Sequence, residues 1–193
     1  LKTRTLAWVT VMAAGALVLG LAACQKQAER APRNPSARSE RGIDLDEPGP
    51  IRPGTTFPNV TLTTLDGRTL GADDLLLGKQ SLVLFASTTC EACHDLIEAW
   101  TKDAAGLPGD VQIVTILDED VDFARQWRKK TSYRFPLFCD TKSAFSERHD
   151  MHVYPTVVGV SPEGRIKFVM KAATPLFTPA RAAAALKKVE GEG

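Results

Sequence analysis

Two cysteines three residues apart, in Cys90-Glu91-Ala92-Cys93, are the side chains of this 193-residue sequence whose types and spacing point most directly to chemistry. They stand between an apolar run, residues 81–86, and a stretch with helical periodicity, which places them at a strand-to-helix junction. Thiols at this spacing close into one small disulfide ring, so the pair can store and release two electrons. A helix starting near Cys90 sets its sulfur at the positive end of the macrodipole, close to unpaired backbone N–H groups that favour thiolate over thiol. Cys90 is then the exposed nucleophile and Cys93, one turn in, the resolving thiol. Apolar Cys93, Leu96, Ile97, Trp100 and Ala104 fall at helical spacing behind them, with Gly106 and Pro108 as stop signals.

The same residues continue into His94 and so also spell the C-x-x-C-H pattern of c-type haem attachment. That chemistry needs a pocket of surrounding helices and a distal ligand, for which Met151, Met170 and His152 are the nominees. Cys90, Cys93, His94 and Cys139 are also soft ligands for Cu(I) or Zn, the equipment of a metal carrier. Taken alone, His94 reads as a solvated first-turn residue.

The ends of the chain bear on where this chemistry happens. Lys2 and Arg4 precede an apolar stretch, residues 7–23, and Leu21-Ala22-Ala23-Cys24 closes it. That ending looks like a bacterial lipoprotein signal, so residues 1–23 are expected to be removed and Cys24 acylated. Gln25 looks like an outer-membrane sorting residue, which favours an extracytoplasmic, lipid-anchored location. Residues 24–54 are rich in Ala, Arg, Gln and Pro with few large apolar side chains, and read as a disordered tether. Extended, it spans roughly 100 Å. Its charges balance, and the net charge of +1 for the whole chain speaks against a nucleic-acid partner. Of the four cysteines, one is allotted to lipid and two to the close pair, leaving Cys139. This is not a disulfide-stapled scaffold.

Residues 55–193 suffice for one α/β domain. Residues 60–70 alternate around Asp66-Gly67, a hairpin signal. Residues 72–77 suit a short helical turn, and the unbroken apolar runs 81–86 and 111–117 suit strands buried on both faces. Residues 120–129 read as a helix with Phe123, Ala124 and Trp127 inward, 135–139 as a strand, and 141–149 as a helix capped by Thr141. Strands at 156–160 and 165–170 flank the Ser161-Pro162-Glu163-Gly164 turn. Thr178-Pro179 opens a last helix ending near Val189. Strands alternating with helices make a mixed central sheet with helices on both faces.

In this order, with the Asp66-Gly67 and Gly78-Lys79 lead-in, the Phe85 strand before Cys90-Glu91-Ala92-Cys93, and Tyr154-Pro155-Thr156 before an apolar strand, the chain resembles the membrane-tethered TlpA/ResA-like thiol–disulfide oxidoreductases. These have a thioredoxin-like fold of the redoxin type with an N-terminal β-hairpin extension. The resemblance implies a cis Tyr154-Pro155 bond facing the disulfide, with Tyr154, Pro155 and Thr89 against the substrate. It also implies re-reduction by a membrane electron donor of the CcdA/DsbD type, protein thiol or disulfide substrates such as apocytochrome c or copper-site cysteines, and no cofactor beyond the Cys90–Cys93 disulfide. The chain departs from the pattern at Thr89, where many members carry Trp, and at Leu96, where ResA-like reductases often carry Glu. Asp95 and Glu98 are expected to point elsewhere on the helix, so proton transfer at Cys93 falls to water or to the Asp118–Asp120 loop. Glu91 opposes the helix dipole and makes the pair a weaker oxidant, hence a reductase rather than an oxidase. Redoxins include peroxidases, but Phe85-Ala86-Ser87-Thr88-Thr89 lacks the proline of their Pro-x-x-x-Thr lead-in. Cys139 closes a strand and is open to two readings, a third redox thiol or a small buried apolar residue.

Overall fold

A computed structural model describes residues 49–188. Seven strands form one mixed sheet: β1 (Thr61–Thr64), β2 (Thr69–Gly71), β3 (Gln80–Ala86), β4 (Val111–Leu117), β5 (Leu137–Cys139), β6 (Thr156–Val160) and β7 (Ile166–Lys171), in the spatial order β2-β1-β5-β4-β3-β6-β7. The helices are α1 (Ala72–Leu76), α2 (Glu91–Lys102), α3 (Val121–Lys130), α4 (Ala144–Arg148) and α5 (Pro179–Lys188). β3, β4 and β5 run parallel; β1 is antiparallel to β2 and β5, and β6 to β3 and β7.

Strict alternation along the central strands builds two cores. Leu82, Leu84 and Ala86 of β3, with Ile113 and Leu117 of β4 and Val157 of β6, pack under α2, α3 and α5. Val83, Phe85, Val114, Ile116 and Val158 face the other way, against α1, α4 and Phe57, where the Phe57, Phe85 and Phe145 rings stack. A strand covered on both faces has no solvent side, which is why residues 81–86 are apolar without a break apart from Ser81. Buried Trp100 ties α2 to the lead-in of α5 by donating its indole N–H to the Phe177 carbonyl, 2.8 Å away.

Three expectations need correction. The folded unit begins before Thr55: Ile51 is buried in the second core, His149 Nδ1 donates to the Gly49 carbonyl at 2.9 Å, and the Gly54 N–H reaches Ile166 O at 2.8 Å. One large apolar side chain among prolines is enough to dock that segment. Phe123 is not inward but 61% exposed, because the buried stripe of α3 centres on Ala124, and the preceding residue lies about 100° off it. The segment 141–149 is not one helix capped by Thr141. A 3₁₀ turn, Thr141–Ser143, with Lys142 and Ser143 at positive φ, leads into α4. Buried Asp140 is the cap, its carboxylate accepting from Phe145 N and Ser146 N, each at 2.8 Å. The signal segment, Cys24 and Gln25 lie outside the described residues, among which no helix is long and apolar enough to cross a membrane.

The hairpin β6/β7 depends on Gly159. A Cβ there would lie 2.2 Å from the Phe168 ring, which is held edge-on by Phe177. Gly159→Ala is expected to destabilise the domain by about 1–3 kcal/mol, read as a lowered urea midpoint.

Candidate active site

Parallel pairing sets Ala86, Leu117 and Cys139 on one rung, so the loops leaving β3, β4 and β5 emerge together at one sheet edge. β6 starts opposite Phe85, bringing Tyr154-Pro155 to the same edge, and that peptide bond is cis. Four separate stretches of sequence thus meet where Cys90 sits.

Cys90 and Cys93 are joined as a disulfide, with Cα atoms 5.2 Å apart. Cys90 is the N-cap of α2, and its sulfur accepts the Cys93 N–H at 3.1 Å. An N–H already aimed at that sulfur, together with the dipole of α2, would stabilise a thiolate there after reduction. Cys90 is half-buried, whereas Cys93 is fully buried with Leu96, Ile97 and Trp100. The two sulfurs are therefore inequivalent, one reachable by a partner and one reachable only through the first. Asp95 and Glu98 lie on the exposed side of α2, and Glu98 pairs with Lys102 at 2.6 Å, which lowers its own pKa. Neither is placed to serve Cys93.

Around the pair the structure builds two polar constructions that sequence reasoning did not find. Glu119, just beyond β4, accepts through Oε1 from Ser87 Oγ (3.0 Å), Thr88 N (2.9 Å) and Thr88 Oγ1 (2.7 Å). The signal was present in the hydroxyl run Ser87-Thr88-Thr89, which replaces an aromatic lead-in, and in the Asp118-Glu119-Asp120 run after a buried strand. The second construction joins the substrate-side tyrosine to the interior. The Tyr154 hydroxyl lies 3.0 Å from Asp118 Oδ2, its acceptor, and 3.0 Å from Ser146 Oγ, and Ser146 in turn donates to Asp140 Oδ2 at 2.8 Å. Burial, reinforced by the Asp118 charge, pushes the Tyr154 phenol above its ordinary range against a smaller opposing pull from Ser146.

His94, read as merely solvated, is exposed but directs Nε2 at the Thr88 carbonyl, 2.8 Å away. That occupies the ring nitrogen on which an axial haem bond could form. Met151 is buried in the core of the opposite sheet face, His152 pairs with Asp150, and Met170 lies on β7. Among the described residues no three His, Cys, Asp or Glu side chains gather as a metal site. Thr89 is exposed beside Cys90, with its hydroxyl 3.0 Å from Ser87 Oγ. Cys139 is a free thiol with no exposed surface; burial, then Asp120 and Glu119, push its pKa up to about 11.

A sequence model of the AhpC/TSA family matches residues 53–169, well over half of the chain. The chain belongs to the AhpC/TSA family. Within this redoxin family it carries a CxxC disulfide, Cys90–Cys93, on a thioredoxin-like fold. Similar solved structures include a peroxidoxin, BcpB, of Mycobacterium tuberculosis (14% identity, 73% of this chain and 97% of that one, TM-score 0.60). A secreted disulfide oxidoreductase of the same organism, homologous to E. coli DsbE, matches at 22% identity over 65% and 96% of the two chains, TM-score 0.54. The exposed lipoprotein thioredoxin Etrx1 of Streptococcus pneumoniae matches at 20% identity over 69% and 98%, TM-score 0.53. No curated protein matches the chain.

The burial of the sulfurs sets a labelling order. In the reduced, folded protein iodoacetamide should modify Cys90 first, and Cys93 and Cys139 only after denaturation, read by mass spectrometry. Between about pH 9 and pH 11 the unfolded chain ionises Cys139 while the folded chain keeps it protonated. The urea midpoint should therefore fall through that window, and fall less in Cys139→Ala.

Proposed function

We propose that this protein is a disulfide reductase for exported proteins, anchored to a membrane by lipid on Cys24 and re-reduced by a membrane electron donor of the CcdA/DsbD type. The observation that carries the reading is the asymmetry of the pair: a reachable sulfur at the N-cap of α2 with a backbone N–H on it, and a buried partner one turn away.

The reaction follows from that asymmetry. The Cys90 thiolate attacks one sulfur of a substrate disulfide; that S–S bond breaks, and the other substrate sulfur leaves as a thiolate and takes up a proton. The mixed disulfide between Cys90 and substrate lies at the edge formed by Thr89, Tyr154 and Pro155. Cys93 gives up its proton and attacks the Cys90 sulfur. The second substrate thiolate leaves, and Cys90–Cys93 closes with two electrons passed to the substrate. The donor then returns those two electrons to the pair. Apocytochrome c thiols and copper-site cysteines are the substrates to try first.

The direction rests on charge. Glu91 in the ring, with Asp118, Glu119 and Asp120 on the neighbouring loop, makes thiolate less favourable at Cys90, and a less acidic thiol is a poorer leaving group and gives a weaker oxidant. The charge-then-apolar N-terminus ending in Cys24, and likeness to a secreted and a lipoprotein relative, support the extracytoplasmic, anchored location. Gln25 favours the outer membrane.

Cys93→Ser should accumulate covalent adducts with client proteins that a reducing gel removes, while Cys90→Ser should form none. Equilibration of the full chain with glutathione or dithiothreitol is expected to give a potential near the thioredoxin value of about −270 mV; a value near −120 mV, the DsbA end, would make the protein an oxidase instead.

A further inference from the structure

The loop from β3 to α2 aims its donors at a single atom. Glu119 Oε1 receives the Ser87 hydroxyl, the Thr88 N–H and the Thr88 hydroxyl. Ser87 has one hydroxyl proton and gives it to Glu119, so it is the acceptor in its 3.0 Å contact with Thr89 Oγ1, as it is for the Thr89 N–H at 3.3 Å. The donors therefore run in one sense, from Thr89 to Ser87 to Glu119. On the far side His94 Nε2 donates to the Thr88 carbonyl, so the N–H, hydroxyl and carbonyl of Thr88 are all engaged. The Cys90 N–H then reaches back to Ser87 O at 3.3 Å. The residue that attacks substrate thus follows three residues whose arrangement is set by a carboxylate from a different element, through charge-assisted bonds.

We propose that Glu119 is a positioning residue for thiol–disulfide exchange: its carboxylate holds Ser87-Thr88-Thr89 so that Cys90 stays at the end of α2, and its negative charge there opposes build-up of thiolate on Cys90 and keeps the pair reducing. This rests on the reading of Cys90–Cys93 as the exchanging pair. The titratable groups on the elements around Cys90 are Glu91, Cys93, His94, Asp95, Glu98 and Lys102 on α2, Asp118, Glu119 and Asp120 beyond β4, Cys139 on β5 with Asp140 after it, and Tyr154 before β6. Of the carboxylates among them, Glu119 is the one hydrogen-bonded to the loop that leads into Cys90. Holding and charge are separable by substitution. Glu119→Gln keeps a carbonyl oxygen facing the same donors and removes the charge. Ser87→Ala with Thr88→Val removes two of the three donors and keeps the charge. Glu119→Ala removes both.

The test uses the full chain with each change. In reduced Glu119→Gln the pH midpoint of Cys90 alkylation should fall by about half a unit, the size expected for one partly screened charge. Its equilibrium constant for oxidising glutathione should rise about threefold, roughly 14 mV at 29.6 mV per tenfold. The Ser87→Ala/Thr88→Val variant should keep the wild-type alkylation midpoint and exchange with a disulfide substrate about tenfold more slowly. Glu119→Ala should show both changes. If Glu119→Gln keeps the wild-type midpoint and potential, the charge role is overturned. If the double variant and Glu119→Ala exchange at the wild-type rate, with only their melting temperatures lowered, the positioning role is overturned and Glu119 is a structural residue. Should Glu119→Ala not fold, the other two variants decide both points. A wild-type chain that performs no exchange would sink the functional reading instead, while the alkylation midpoint of Glu119→Gln would still report the charge.

Discussion

The parallel register of β3, β4 and β5 is the constraint on which the rest of the site depends. Because Ala86, Leu117 and Cys139 share one rung, three chain segments leave the sheet at the same height. The Cys90–Cys93 pair, the acidic loop beyond β4 and the Asp140 cap are neighbours for that reason. A slip of one residue in β4 would turn Val114 and Ile116 to the wrong core and carry Glu119 away from Ser87 and Thr88 together. The apolar packing that fixes register is therefore also what sets the polar geometry at the edge.

Much of this was legible in the sequence. Unbroken apolar runs marked β3 and β4, Asp66-Gly67 marked the β1/β2 hairpin, and the two cysteines marked both a helix start and the chemistry. Each of those signals is local: a period, a turn dipeptide or a spacing. The elements that were misread are those decided by tertiary partners. Asp140 caps α4 across a left-handed turn because it is buried with two N–H groups in reach, and no periodicity announces that. Phe123 lies outside the buried stripe of α3, which centres on Ala124, because adjacent helical residues cannot share one narrow face, although apolar character alone placed both inward. Ile51 docks through one side chain in a stretch whose composition otherwise argues for a tether.

The same division holds at the site. Cys90 and Cys93 could be assigned roles from position on a helix, since an N-cap is more open than the next turn, which is covered. Glu119 could not, because the two residues that supply its three donors, Ser87 and Thr88, lie more than thirty residues earlier in the chain and meet it only when the sheet has formed. The Tyr154–Asp118 contact is of the same long-range kind, and it is extended by the shorter-range Tyr154–Ser146 and Ser146–Asp140 contacts. Thr89 and the hydroxyls before it looked like a gap in a familiar pattern. In the fold they are donors that a carboxylate collects, so a departure in residue type is matched by a compensating one on another element.

Burial of Cys139 has a further consequence for the fidelity of the centre. Three sulfurs in one domain allow three different pairings, and two of them would take either Cys90 or Cys93 out of use. A thiol that is covered on all sides, and that neighbouring carboxylates help to keep protonated, is neither a nucleophile toward the Cys90–Cys93 bond nor a target for an incoming disulfide. Burial of Cys139 therefore favours the Cys90–Cys93 pairing over both alternatives whenever the three thiols are oxidised.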